Sequence, residues 1–258
     1  MLNRTAIMRN LRLRLLVILP ALLYTMISPV VITAAQLNKF VFTQLRYDGQ
    51  WDPYPETWGD IIEFLATATS ISPQRERRVA SIDDKELFSS PFLVILGSES
   101  FPKFNKNQRE LFRRYLSNGG IVLVEDSSAM RGGAFDSSFR SELAAVFPEL
   151  KLKKLPIDHP LMRSYYFLRK VSGRRLVNNF VEGIDISGRT ALIYSQNDLF
   201  GAWARDRMGN YLWECAPSGQ PQRFEAQKLT MNIIMYSVTG TYKSDAIHRP
   251  FLEQKMNR

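Results

Sequence analysis

The sequence predicts an α/β fold, a three-layer sandwich in which an open, mostly parallel sheet is covered by helices on both faces. Two apolar runs without a polar break, Phe92-Leu93-Val94-Ile95-Leu96 and Ile121-Val122-Leu123-Val124, mark strands buried on both sides. Stretches of helical periodicity separate such runs, so strands and helices alternate along the chain. A basic and then apolar N-terminal segment sets this domain apart from what precedes it.

Residues 1–35 open the chain with Arg4, Arg9, Arg12 and Arg14 and no acid. An apolar stretch covers 15–24, softens toward Ala35, and closes on the small residues Thr33-Ala34-Ala35. That order is the layout of a secretory signal peptide. Residues 15–35 are also long enough to span a bilayer, so an uncleaved membrane anchor helix is the competing reading, weakened by Pro20 and Pro29. Either way the arginines stay inside and the rest is carried out. The expected location is periplasmic or extracytoplasmic, with inner-membrane anchoring if the segment is kept. The α/β domain is expected over 36–242, with a C-terminal tail at 243–258.

Within the domain, Phe40-Val41-Phe42 and Leu45 predict the first strand. Trp58, Ile61, Ile62 and Leu65 recur at helical spacing after a cap at Pro55-Glu56-Thr57. Val79-Ala80-Ser81-Ile82 reads as a short strand. Leu111, Phe112, Tyr115 and Leu116 form a helical stripe stopped by Asn118-Gly119-Gly120. Phe139, Leu143, Val146 and Phe147 make the next helix, started at Asp136-Ser137-Ser138 and closed at Pro148. Thr190-Ala191-Leu192-Ile193-Tyr194 is a late strand, and 226–238 a final, nearly all-apolar helix. There is no internal repeat and no linker that divides the domain.

Composition narrows the function classes. The chain is 45% apolar, enough for a proper core. Of the net charge of +9, the leader's four arginines are set aside with the targeting segment, leaving a mild excess of +5. The basic residues are scattered, as at Arg75, Arg77 and Arg78 or Lys151, Lys153 and Lys154, and most read as solvated faces. An envelope protein or an anionic envelope component is the expected partner, with the membrane added through an uncleaved N-terminal segment. Nucleic acid is not expected. A single cysteine, Cys215, allows neither an intramolecular disulfide nor a cysteine zinc site.

In open parallel sheets ligands sit beyond the carboxyl ends of the strands. That rule picks out Arg46 and Asp48, Ser98 and Glu99, Glu125 and Asp126, and Ser195 to Asp198. His159, in Asp158-His159-Pro160, is the histidine of the domain body. The candidate ligand-binding cluster is therefore Arg46, Asp126, Asp158, His159, Ser195 and Asp198. Were His159 to meet Asp126, Asp158 and Asp198, the group could hold a divalent metal or do acid–base work. The plainer reading has Asp158 capping a turn and His159 bonded to a backbone carbonyl. Gly132-Gly133 beside Arg131 lacks the pattern of a phosphate loop, and no cofactor is expected.

Several of these residues recur as an ordered set: Arg46-Tyr47, Pro91-Phe92-Leu93 leading to Gly97, Gly119-Gly120 into Val124-Glu125-Asp126, Phe147-Pro148, Leu155-Pro156, Asp158-His159-Pro160, Gly183-Ile184, Gly188-Arg189, Tyr194-Ser195, Asp198-Leu199, Trp203 and Asn232. The set resembles the bacterial family called domain of unknown function 4159, over residues 38–240. The resemblance implies the flavodoxin-like sandwich of class I glutamine amidotransferases, and export or membrane anchoring; it brings no chemistry. Glutaminase chemistry needs a thiolate on the turn after the third strand. The turn here reads Gly97-Ser98-Glu99-Ser100-Phe101, without cysteine, and Phe101 stands where a serine version needs glycine. The reading that follows is a non-catalytic ligand- or protein-binding accessory module of the envelope. Its rival is a metal- or acid–base-dependent hydrolase built on the Asp/His cluster.

Overall fold

A computed structural model describes residues 39–239 of the chain. Every named strand and helix lies between Thr43 and Thr239. The targeting segment and the C-terminal tail lie outside the described residues. Among the described residues, no helix is long and apolar enough to cross a membrane.

The elements follow as β1 (Thr43–Leu45), α1 (Thr57–Ala68), β2 (Arg78–Ala80), β3 (Phe92–Gly97), α2 (Lys106–Ser117), β4 (Ile121–Asp126), α3 (Ala134–Val146), β5 (Lys153–Lys154), β6 (Glu182–Ile186), β7 (Arg189–Ser195) and α4 (Gly219–Thr239). Seven strands form one sheet in the order β2-β1-β3-β4-β7-β6-β5. The first five of that row are parallel, and β6 and β5 are added antiparallel. The α/β prediction therefore holds.

β3 and β4 are buried along their whole length, as their unbroken apolar runs require. They pair from Phe92↔Ile121 to Gly97↔Asp126, which puts the end of each strand level with the other. α2 brings Phe112, Tyr115 and Leu116 onto the sheet, and α3 brings Phe139, Leu143 and Val146. Each such side chain stabilises by roughly 1.5–3 kcal/mol against leaving it in water. Asn105 and Gln108 form a reciprocal capping box at the start of α2, at 3.0 and 3.1 Å.

Some expectations change. The first strand is confined to Thr43–Leu45 rather than starting at Phe40, although Phe42 is in the core. The cap expected at Pro55-Glu56-Thr57 makes no side-chain bond. α3 begins at Ala134 after Gly133, so Asp136 is no cap: it is buried, accepts from the Tyr194 hydroxyl at 2.8 Å, and pairs with Arg140. The last helix starts at Gly219, not at 226, and the β5–β6 pair was not expected from the residues.

Candidate functional site

The carboxyl edge of the sheet carries two unlike regions. The first lies beyond β1. Past Leu45 the chain turns through Arg46-Tyr47-Asp48-Gly49, with Gly49 at φ +136°, a conformation that favours glycine. The Tyr47 ring folds back, and its hydroxyl donates to the Leu96 carbonyl of β3 at 2.7 Å. Gly97 allows this, because a Cβ there would lie 2.3 Å from the Tyr47 oxygen and 2.2 Å from the Phe135 ring. Burial, reinforced by the Glu99 and Asp126 charges, holds the Tyr47 phenol far above its ordinary value, so it stays a donor. Trp51 is fixed as well. Gln44 donates to its carbonyl at 2.7 Å, and Arg77 lies 5.7 Å above its ring while gripping Asp52 through both nitrogens.

These walls and the segment Pro102-Lys103-Phe104 enclose an open cleft of about 430 Å³. Arg46, Asp48 and Lys103 line it and are exposed. Among the described residues none of the three is in an ion pair.

The second region lies beyond β4 and β7, and it is closed. Glu125, Asp126, Ser195 and Asp198 are all essentially without solvent contact. The register sets Glu125 beside Ser195. Asp198 sits at φ +54°, in the left-handed region, where a non-glycine residue needs outside support. It has that support: Arg174 pairs with its Oδ2, the Tyr54 hydroxyl donates to the same oxygen at 3.0 Å, and the Gly201 N–H donates to Oδ1 at 3.0 Å. Trp213 covers the group, 5.3 Å below the Arg174 guanidinium and 5.5 Å from the Tyr54 ring. Asn197 ties the neighbouring loop, accepting from Val177 and Asn178 N–H groups at 3.0 and 2.8 Å.

Burial governs the ionisation of this group. It pushes the Glu125 carboxyl well above the usual range, and the Asp198 charge adds to that. The Leu199 N–H donates to Glu125 Oε1, while Oε2 is buried without a partner. Asp126 is raised by burial, although the Ser128 N–H and hydroxyl both donate to its Oδ1, at 2.9 and 2.6 Å; its Oδ2 is also buried without a partner. For Asp198 burial outweighs the Arg174 charge and the bonds it accepts, so that carboxyl too lies above its ordinary value.

The structure does not bring the Asp/His cluster together. His159 Nε2 is 3.0 Å from the Thr190 hydroxyl, at the start of β7, and the Leu161 N–H donates to its Nδ1 at 3.1 Å. Thr190 and Ser195 lie five residues apart on an extended strand, roughly 16 Å at about 3.3 Å per residue. His159 therefore belongs with Asp185 and Tyr236, away from Asp126 and Asp198. Burial lowers its pKa, which favours the neutral ring. Asp158 is an exposed loop residue whose carbonyl accepts from Arg163. Among the described residues no group of three or more His, Cys, Asp or Glu side chains is placed to hold a metal ion.

Ser195 accepts from the Asn197 N–H at 3.2 Å and is buried, and of the expected cluster Arg46 alone lines the cleft. Cys215 is buried, and burial raises its thiol. Sequence reasoning missed Tyr54 and Arg174, which close the second region, and Lys103, which faces the first. No periodicity marks them, because their partners are far away in the chain.

No curated protein matches the chain. A family model does, over residues 41–238, nearly all of the described domain. The chain thus belongs to the family described as Domain of unknown function (DUF4159).

Proposed function

We propose that this chain is a binding module of the bacterial envelope, and that its ligand-facing surface is the cleft beyond β1. The observation that carries the reading is the contrast in partners along one sheet edge. The polar groups at the ends of β4 and β7 are turned inward and mostly spent on one another. Arg46, Asp48 and Lys103 are left facing an open space whose walls are already fixed. A volume of about 430 Å³ falls within the roughly 300–1,000 Å³ of small-molecule sites. The extracytoplasmic location rests on the arginine-flanked apolar segment at residues 1–35.

A panel of small soluble compounds, screened by NMR, tests the site. Hits should move the Trp51 indole signal and the amides of 46–49 and 103–104. A panel whose hits all cluster around Trp213 and Asp198 would overturn the assignment. For the location, fusing residues 1–45 to a reporter active only outside the cytoplasm should give signal, and a silent reporter counts against it.

A second reading has one specific observation in its favour. Glu125 Oε2 and Asp126 Oδ2 are buried carboxyl oxygens without partners, and burial pushes the Glu125 carboxyl well above its ordinary range, toward the neutral form. A protonated acid beside an ionisable one is the arrangement an acid–base hydrolase uses. Both acids are without solvent contact, so an opening of the structure around them would have to precede any reaction. A hydrolase panel run on the parent chain and on Glu125→Gln decides it: turnover lost in the variant favours this reading, and no turnover in either counts against it.

A further inference from the structure

We propose that the cleft beyond β1 selects an oxyanion, a carboxylate or phosphate group carried on a compact apolar body, with Arg46 and Lys103 as the anion-binding pair. The inference rests on reading the cleft as a binding surface and names the class of what it takes.

Charge supplies the first argument. Two cations and one acid line the cleft, and none of them is in an ion pair among the described residues. Several arginines elsewhere in the domain are spent on internal pairs, while others, such as Arg75 and Arg207, stand exposed and unpaired among the described residues without lining this cleft. Arg77 grips Asp52, Arg109 grips Glu142, Arg140 bridges Asp136 and Glu182, and Arg174 holds Asp198. Arg46 and Lys103 come from different loops, one after β1 and one after β3, and reach the same space. A guanidinium and an ammonium converging from two loops suit an oxyanion, the first through its planar fork and the second as a point charge.

Shape supplies the second. The floor is apolar, formed by Leu45, Ile82 and Phe104, all buried. Trp51 stands at the side, half-buried and held by Gln44 and Arg77. A ligand with a ring or short aliphatic stem covers this floor while its anionic end meets the cations at the rim. Asp48 remains to accept a hydrogen bond from a donor on the same ligand. The walls are pinned by Tyr47 on β3 and Trp51 on Gln44, so little ordering is needed on binding.

Four probes of similar size test this on the purified full chain: benzoate, phenyl phosphate, benzamide and benzylamine. The readout is the Trp51 indole NMR signal, assigned with Trp51→Phe. Benzoate or phenyl phosphate should bind, benzamide more weakly and benzylamine least. Added salt should weaken the anions and leave benzamide unchanged. The double variant Arg46→Gln/Lys103→Gln should weaken anion binding roughly tenfold or more and leave benzamide where it was. Preference for phenyl phosphate over benzoate assigns the group as phosphate, and the reverse assigns it as carboxylate. Equal binding of all four probes, or anion binding untouched in the double variant, overturns the oxyanion proposal and leaves the cleft as a binding surface. If no probe, charged or neutral, moves the indole signal, the binding surface itself is refuted along with the proposal.

Discussion

The two halves of the carboxyl edge are made of similar residues and end in opposite states. At and just past the ends of β4 and β7 stand Glu125, Asp126, Ser195 and Asp198, none of them exposed. Beyond β1 stand Arg46 and Asp48, both exposed. The difference comes from what arrives from elsewhere. Tyr54, Arg174 and Trp213 fold over Asp198 and complete it. Across the cleft the arriving segment is Pro102-Lys103-Phe104, which brings another cation and no acid. Strand ends thus offer polar groups to solvent, and the loops that return over them decide which offers are withdrawn. A strand-end position by itself does not mark a binding residue; its partners do.

The largest effect should come from opening the closed half. Arg174→Ala leaves the Asp198 carboxylate buried without its cation. Removing one partner of a buried pair costs about 3–5 kcal/mol, because the other charge is stranded. Denaturant unfolding of the variant against the parent measures this. Asp198→Asn keeps an acceptor for the Gly201 N–H and should lose less, about 1–3 kcal/mol. A loss below about 1 kcal/mol for Arg174→Ala would mean that this pair is not what closes the region.

Next is the backbone that joins the two halves. Gly97 pairs with Asp126 across β3 and β4 and lies under Tyr47. In Gly97→Ala the new methyl meets the Phe135 ring at 2.2 Å and the Tyr47 oxygen at 2.3 Å, and both are held in place. Overpacking of this kind costs about 1–3 kcal/mol. It should also free Tyr47 and widen the cleft, seen as a change in the Trp51 indole signal. A stable variant with an unchanged signal would show that the Tyr47 contact does not shape the cleft.

The third test uses pH. Glu125 holds its proton in the folded chain above the ordinary value of 4.5, while the unfolded chain releases it there. Between those two points the native state binds more protons, so stability falls as pH rises. Glu125→Gln removes the titration and keeps an acceptor for the Leu199 N–H. Below 4.5 both chains should respond alike. Above it the variant should gain on the parent progressively as pH rises. Unfolding curves collected across that range should diverge; parallel curves would place Glu125 in a solvated, ordinary setting.

How much of this was legible follows from the range of each interaction. β3 and β4 could be read because burial on both faces writes an unbroken apolar run into the chain. β6 could not, since Glu182-Gly183-Ile184-Asp185-Ile186 is polar at its exposed positions and has a register shift between Ile184 and Asp185. β5 is two exposed lysines, defined only by pairing with β6. At the site, the strand-end rule placed Arg46, Asp126, Ser195 and Asp198 on the right edge. It said nothing of their partners, because Tyr54 meets Asp198 across 144 residues of sequence. The link from His159 to that edge failed for the same reason: a loop's return path is not written in its own residues.

The smallest expected effect is the sharpest check on the comparison. Arg46 and Arg174 are both arginines at the carboxyl edge, so a difference between them isolates what the surrounding loops do. Arg174 is a member of the folded network. Arg46 contributes its backbone, whose N–H donates to the Ala80 carbonyl at 2.8 Å, but its side chain is exposed and in no ion pair among the described residues. Arg46→Gln keeps the backbone bond and a polar end, so it should alter stability by no more than about 0.5 kcal/mol, the ordinary range for surface substitutions. Thermal melts of the variant and the parent should therefore overlay, against a large drop for Arg174→Ala. If Arg46→Gln instead falls as far as Gly97→Ala, its side chain holds the loop after β1 in place, and the open half of the edge is structural like the closed one. If the melts overlay, the Arg46 guanidinium adds nothing measurable to the fold and, unlike Arg174, is not committed to it, which leaves it available at the cleft.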